Sequence, residues 1–320
     1  MPIHPRLIFG GSTIGAEWGS LDSVKDLLER LQTVGIDEID AAGLYPATDS
    51  GACERLLGEA GAASLGFRID TKVLTGFNPV GTLEAEKINA SVSASIDSLK
   101  FQPGQKFHIV HFHAHDPETP IKDQIAAIDA LYKEGKFEKF GVCNYPLETL
   151  KELIKICDEE GYVKPTVYQG MYNVVARGHE GLFPYLREND IVFNAHSPVA
   201  SGFLSGKLTA GNIEGTRFNQ DNIVGDSLRN KYDKKELHDA IRSLNEILEP
   251  AGISIVEATL RWLGYHSKLR PQDGIILGAT KPHYIAENVK SIDQGPLPPD
   301  VVAAMDKVWE TLSAGDIAHA

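Results

Sequence analysis

Cysteine is scarce in this chain of 320 residues: only Cys53, Cys143 and Cys157 occur. They are scattered and odd in number, so they form neither a C-x-x-C pair nor a disulfide framework. A reducing compartment is the simplest setting, and a cytoplasmic location is expected. Basic side chains are also short in supply. The 31 Lys and Arg against 44 Asp and Glu leave a formal net charge of −13. With no basic face evident, nucleic acid and other polyanionic polymers are not expected as partners. No apolar run approaches the length needed to span a bilayer, and the opening Met-Pro-Ile-His-Pro-Arg has no apolar signal core, so no membrane is expected either. No low-complexity stretch, charge block or Pro/Ser-rich linker divides the chain. Residues 1–320 therefore read as a single domain.

What is present is alternation. Short β-like runs at Leu7–Gly10, Glu38–Ala41, Phe67–Lys72, Phe107–Phe112, Phe140–Val142, Thr166–Gln169, Ile191–Asn194 and Gly274–Leu277 are separated by amphipathic stretches such as Ser23–Gly35, Glu84–Leu99, Lys122–Lys133, Leu147–Glu159 and Leu182–Glu188. Ile88, Val92, Ile96 and Leu99, for example, share one helical face. Repeated βα units predict a parallel sheet with helices outside, and too many recur for a small doubly wound sheet. The expected fold is α/β: a single (β/α)₈ TIM barrel with a short N-terminal hairpin and extra C-terminal helices.

In such a barrel the residue after each strand falls at the C-terminal mouth, where the chemistry is carried out. The second strand ends at Asp40, with Tyr45 in the loop beyond. The third ends at Lys72 and the fourth at His113. An acid, a phenol, an amine and an imidazole thus occupy consecutive mouth positions. A free Tyr is a poor acid at neutral pH, and a neighbouring ammonium is expected to lower its pKa and make Tyr45 a usable general acid. Asp40 would keep the Lys72 amine charged, and His113 could hydrogen-bond and orient a carbonyl oxygen. This is machinery for polarising C=O while another group delivers a hydride.

The order Asp40, Tyr45, Lys72, His113 resembles the catalytic tetrad of the aldo-keto reductases. Further matches run over nearly the whole chain: Glu54-Arg55-Leu56-Leu57-Gly58 with Cys53 before it, Gly135-Lys136 followed by Gly141-Val142-Cys143-Asn144-Tyr145, and the loop from Ser197-Pro198 to Gly206-Lys207. Tyr168-Gln169-Gly170-Met171-Tyr172-Asn173 with Arg177 and Glu180, then Arg229-Asn230-Lys231-Tyr232 and Ile276-Leu277-Gly278, are similar to the aflatoxin-aldehyde reductase and succinic semialdehyde reductase branch. The resemblance implies an NADPH-dependent (NADP⁺-forming) reductase of aldehydes or ketones, a small-molecule carbonyl substrate, no metal, and a monomer or homodimer. Tyr45 would donate the proton, tuned by Lys72 and Asp40, with His113 orienting the carbonyl. Asn144 and Gln169 would hold the nicotinamide carboxamide, and His196 stands where the family has an aromatic stacked on that ring. Ser197, Gly206, Lys207 and Gly278 complete the implied cofactor contacts, with Ser205–Leu208 folding over the pyrophosphate. Glu287 and Asn288 fit the adenine contacts. Thr280 and Lys281 would take the 2′-phosphate, since Tyr284 replaces a frequent Arg. Ser12 and Arg229 are the expected substrate contacts, Arg229 as a bidentate partner for a carboxylate. The tail Gly315–Ala320 lacks the basic residue usual in that branch.

Two other classes remain open on the residues alone. His111, His113 and His115 would share a strand face, a spacing that suits a metal-dependent hydrolase, with His196 as a further ligand. The plainer reading has His108 exposed and His111 packed within the barrel. A non-catalytic NADPH-binding redox subunit is the second. Tyr132 and Lys136 match the Y-x-x-x-K of short-chain dehydrogenases, and Gly10 to Gly15 is Gly-rich, but no dinucleotide-binding unit with a suitably placed acid follows.

Overall fold

A computed structural model of the chain describes residues 4–75, 79–219 and 224–314. Eight strands close into one parallel barrel in the order β1 to β8: β1 Arg6–Gly10, β2 Glu38–Asp40, β3 Arg68–Val73, β4 Phe107–Phe112, β5 Phe137–Cys143, β6 Pro165–Met171, β7 Val192–His196 and β8 Gly274–Leu277. Around them run the helices α1 Leu21–Thr33, α2 Ala52–Glu59, α3 Ala85–Ser98, α4 Ile121–Lys133, α5 Leu147–Glu160 and α6 Phe183–Glu188. Three more, α7 Gly225–Tyr232, α8 Lys235–Leu248 and α9 Ile255–Tyr265, lie between β7 and β8. Two follow β8, α10 Pro282–Asp293 and α11 Pro299–Ala314. The barrel and the extra C-terminal helices match the expectation. The N-terminal hairpin does not: among the described residues the chain enters directly as β1, which pairs in parallel with both β2 and β8.

Local chemistry explains these elements. α1 begins at Ser20, whose side chain and Ser23 form a reciprocal capping box, and it buries Val24, Leu27, Leu28 and Leu31 on one stripe. β4 is buried along its whole length, as a central parallel strand covered on both faces must be. The sequence pattern reads β5 too short because Glu138 and Lys139 are polar. They pair within the barrel wall nonetheless, Lys139 opposite Ile109. α2 packs so closely on the end of α3 that a Cβ on Gly58 would lie 2.1 Å from the Ser98 carbonyl oxygen, so only glycine fits there.

The barrel is fastened at the end opposite its mouth. Asp273, fully buried, accepts two hydrogen bonds from Arg187 at 2.8 and 2.6 Å. It also accepts the backbone N–H of Phe193 at 2.8 Å and of Arg270 at 2.6 Å, while its own carbonyl accepts Arg6 N–H at 2.9 Å. One residue thus ties the starts of β7, β8 and β1, its carboxylate holding Arg187, Phe193 and Arg270 and its carbonyl holding Arg6. Removing it leaves Arg187 buried without its partner. Asp273→Ala is expected to lower unfolding free energy by about 3–5 kcal/mol, measured by urea denaturation. A loss below about 1 kcal/mol would show that closure does not depend on it.

Candidate active site

The strand ends bring the four predicted groups together. Asp40 ends β2, and its register partner on β3 is Asp70, two residues before Lys72. Lys72 is completely buried, and its Nζ donates to Asp40 Oδ1 at 2.7 Å and to the Ala41 carbonyl at 3.0 Å. Gln169, on β6 across the barrel, donates Nε2–H to the same Asp40 oxygen at 2.8 Å. The Lys72 ammonium stands 4.7 Å from the centre of the Tyr45 ring. Tyr45 meets the His113 ring edge-to-face at 5.7 Å, directly beyond β4.

The electrostatics differ from the expectation in one respect. Burial raises the Tyr45 phenol, and although Lys72 lowers it, the result is a pKa pushed up to about 12 rather than down. Tyr45 therefore holds its proton throughout the neutral range. Burial alone would raise the Asp40 carboxyl, but Lys72 and the hydrogen bonds hold it below its ordinary value. Burial pulls Lys72 down, and Asp40 and Tyr45 more than reverse this, so the ammonium stays charged. The three nearby imidazoles are neutral. Burial, reinforced by Lys72, lowers His113 to about 3 and His111 to about 4, and His196 is lowered to about 4, chiefly by burial.

The other predicted residues are spread over the strand ends and the segments that follow them. Asn144 follows β5 in a left-handed conformation, φ 53°, with its side chain exposed and its N–H bonded to the Gln169 carbonyl at 2.9 Å. His196 ends β7, and its Nδ1 lies 3.1 Å from the Ser197 hydroxyl, a residue also left-handed at φ 54°. The segment after β7 carries Gly206 and an exposed Lys207. Ser12 lies in the short turn after β1, where its neighbour Thr13 donates to the Ala279 carbonyl at 3.2 Å. Gly278 is open to solvent, Lys281 caps the start of α10, and Asn288 donates to the Gly278 carbonyl at 3.4 Å. Thr280 is half-buried after β8, and Glu287 is exposed on α10.

Arg229 is turned away. Its guanidinium donates to the Phe218 carbonyl and to Asp226, so it is committed to its own neighbourhood. Lys231 lies two residues further along the same helix. On α7 the two residues are about 200° apart around the axis, so only one of them faces the mouth. Lys231 Nζ lies 3.6 Å from Met171 Sδ, and Met171 is the register partner of His196. Burial, then Lys234, lowers its pKa, and no carboxylate lies within 4.0 Å of it among the described residues. The signal was legible as Arg229-Asn230-Lys231-Tyr232, but linear sequence does not say which cation turns inward until the helix phase is known.

The predicted histidine metal set does not assemble. The His111 Nδ1 faces the Thr71 carbonyl at 3.3 Å, and His115 packs its ring on Tyr145. His108, expected to be exposed, is 6% exposed. It sits in the barrel wall at the end away from the mouth, where charged side chains of β2, β3 and β5 converge, with Nδ1 2.9 Å from Glu138. Among the described residues, one group of three side chains offers clustered ligand atoms: Glu38, Asp70 and His108. Arg6, Arg68 and Lys139 already surround these, so a metal ion would enter a site supplied with cations. The tail 315–320 lies outside the described residues.

Comparison with known proteins follows the same lines. A family model described as the aldo/keto reductase family matches residues 6–310. Aflatoxin B1 aldehyde reductase member 2 of Homo sapiens is 32% identical over 307 residues, covering 92% of this chain and 82% of its own. Aldo-keto reductase family 7 member A3 of Homo sapiens is 31% identical over 328 residues, covering 97% and 95%. The oxidoreductase sirO of Leptosphaeria maculans is 27% identical over 321 residues.

The neutral imidazoles carry a pH signature. Their folded pKa values lie below the unfolded value, so the unfolded chain takes up protons first as pH falls. Stability is expected to be full above about pH 6.5 and to drop progressively toward about pH 4. Urea midpoints across this range, with histidine ring NMR to identify the groups, provide the check. Ring signals of His111, His113 and His196 titrating near pH 6.5 in the folded protein would contradict it.

Proposed function

The chain belongs to the aldo/keto reductase family, and on that premise we propose that it is an NADPH-dependent reductase converting an aldehyde or ketone to the alcohol, with Tyr45 as the proton donor. The observation that carries this reading is the buried Asp40–Lys72 pair set against a neutral Tyr45 and a neutral His113 at one mouth.

The residues present fit a nicotinamide dinucleotide. Asn144 offers an exposed amide just after β5, and His196 at the end of β7 offers a neutral ring. Lys207 and Lys281 stand exposed on the rim, and neither has a carboxylate within 4.0 Å among the described residues. The first turn of α10, twelve residues long, receives no side-chain cap, so its N–H groups and Lys281 suit a phosphate. Ser197, Gly206 and Gly278 bring backbone close to the same rim, while Thr280, Glu287 and Asn288 line the outer end. The dinucleotide supplies a hydride to the carbonyl carbon.

The remaining chemistry belongs to the side chains. His113 donates a hydrogen bond to the carbonyl oxygen, polarising it and fixing its direction. Tyr45 gives its phenolic proton to that oxygen as the alkoxide develops. Because its pKa is about 12, it keeps the proton until an alkoxide, a stronger base, needs it. Lys72 stabilises the phenolate left behind, and Asp40 keeps Lys72 both charged and oriented. Gln169 reinforces Asp40 from the far side of the barrel. Water then returns a proton to Tyr45.

Lys231 extends the reading to the substrate. A desolvated ammonium near His196 suits a carbonyl compound bearing an anionic group, such as an acid aldehyde. The printed name of two relatives, aflatoxin B1 aldehyde reductase, accords with an aldehyde as the reacting group. The protein would work as a monomer or homodimer in a reducing, cytoplasmic setting, where its three buried cysteines stay free.

NADPH oxidation should be followed with succinic semialdehyde, an aryl aldehyde, a diketone and a quinone. Tyr45→Phe is expected to lower turnover by about 10²–10⁴-fold while leaving NADPH affinity unchanged. Near-full activity in that variant would remove Tyr45 from its role. No turnover on any compound, with NADPH still bound, would favour a binding subunit instead. Lys231→Met is expected to raise KM for the acid aldehyde about tenfold or more and to leave the neutral aryl aldehyde nearly unaffected. Equal effects on both would dismiss Lys231 as an anion contact.

A further inference from the structure

The segment after β7 is held in an unfavourable conformation. Ala200 and Ser201 adopt φ values of 50° and 57°, with Gly202 and Gly206 also left-handed. For non-glycine residues this costs about 1 kcal/mol or more each, so the surrounding contacts must hold it. Its near end is anchored by Phe203, fully buried and stacked on Tyr232 of α7 at 5.4 Å and 11°. Its far end is anchored by one polar chain. Thr209 Oγ1 lies 2.8 Å from His238 Nδ1, and His238 Nε2 lies 2.8 Å from Asp233 Oδ1.

Chemistry fixes the sense of that chain. The Asp233 carboxylate only accepts, so Nε2–H donates to it, which leaves Nδ1 to meet the Thr209 hydroxyl. Asp233 lies at the α7–α8 junction and His238 in the first turn of α8, so the wall behind the segment orients the imidazole before it grips Thr209. Between the two anchors lie Gly206 and Lys207. Their backbone closes a compact turn in which Ala210 N–H meets the Gly206 carbonyl at 3.0 Å and Asn212 N–H meets the Lys207 carbonyl at 2.8 Å.

We infer that His238, set by Asp233, is a positioning residue that pins Thr209 and thereby holds the 205–212 strap, with Lys207, closed over the phosphates of the bound dinucleotide. The inference rests on the reductase reading above. It assigns the residence time of the cofactor to a hydrogen-bonded pin outside the reacting centre. Breaking the pin leaves the phosphate contacts available but lets the strap open more often, so dissociation accelerates while the tetrad is untouched.

Stopped-flow fluorescence of NADPH release from the full-length protein tests this, with thermal unfolding measured alongside. His238→Ala and Thr209→Val, the latter removing only the hydroxyl, are each expected to raise the NADPH off-rate about tenfold. His238→Gln retains one donor and one acceptor and should recover most of the wild-type rate. If the alanine variant does not fold, Thr209→Val decides. Saturable NADPH binding by the wild type, with unchanged release from Thr209→Val, would overturn the pin and leave the reductase reading intact. A wild-type protein that does not bind NADPH would instead remove the reading on which the pin rests. Faster release that His238→Gln does not restore, accompanied by a matching fall in Tm, would reduce His238 to a packing role.

Discussion

A lysine ammonium with no access to water lies inside the barrel, and the arrangement around it follows from the need to keep it there. Placing a charge in a protein interior costs several kcal/mol unless a well-oriented counter-charge and hydrogen bonds offset it. Asp40 supplies the counter-charge, Gln169 holds Asp40, and the Ala41 carbonyl takes a second ammonium proton. These partners come from β2, the residue after it and β6, and with Lys72 on β3 they are elements that a closed barrel brings to one point. The pair is better understood as fixing an electric field at Tyr45 than as stabilising the fold, since buried ion pairs are weak contributors to stability overall.

That field is kept simple by the neutrality of what surrounds it. Three imidazoles lie within its reach, and burial discharges all three. Lys72 is left as the persistent cation beneath the phenol. Farther out, Lys207, Lys231 and Lys281 stand around the mouth of a protein whose formal net charge is −13. Isolated cations at one end of an acidic body concentrate anionic ligands there and repel them elsewhere.

The barrel and the meeting of Asp40, Tyr45, Lys72 and His113 were legible in the sequence because both depend on order along the chain. Repeating βα units declare a parallel barrel, and the residue after each strand falls at the mouth wherever the strands lie in space. What escaped depends on environment or phase. The Tyr45 shift reverses sign because desolvation outweighs a nearby ammonium, and depth of burial is not written in local sequence. His108 reads as a surface residue until β2, β3 and β5 converge on it with their own charges. Arg229 and Lys231 meet different neighbours because a two-residue step on a helix nearly reverses its facing.

Asp273 and Arg187 secure β7, β8 and β1 at the end of the barrel opposite the mouth. Fold maintenance and ligand contact are therefore spatially segregated within one chain. Loops at the mouth can be lengthened, shortened or replaced without unfastening the seam, which lies a full strand length away. A library randomised only in those loops would start from an already closed scaffold. New substrate preferences could then be selected without first recovering lost stability.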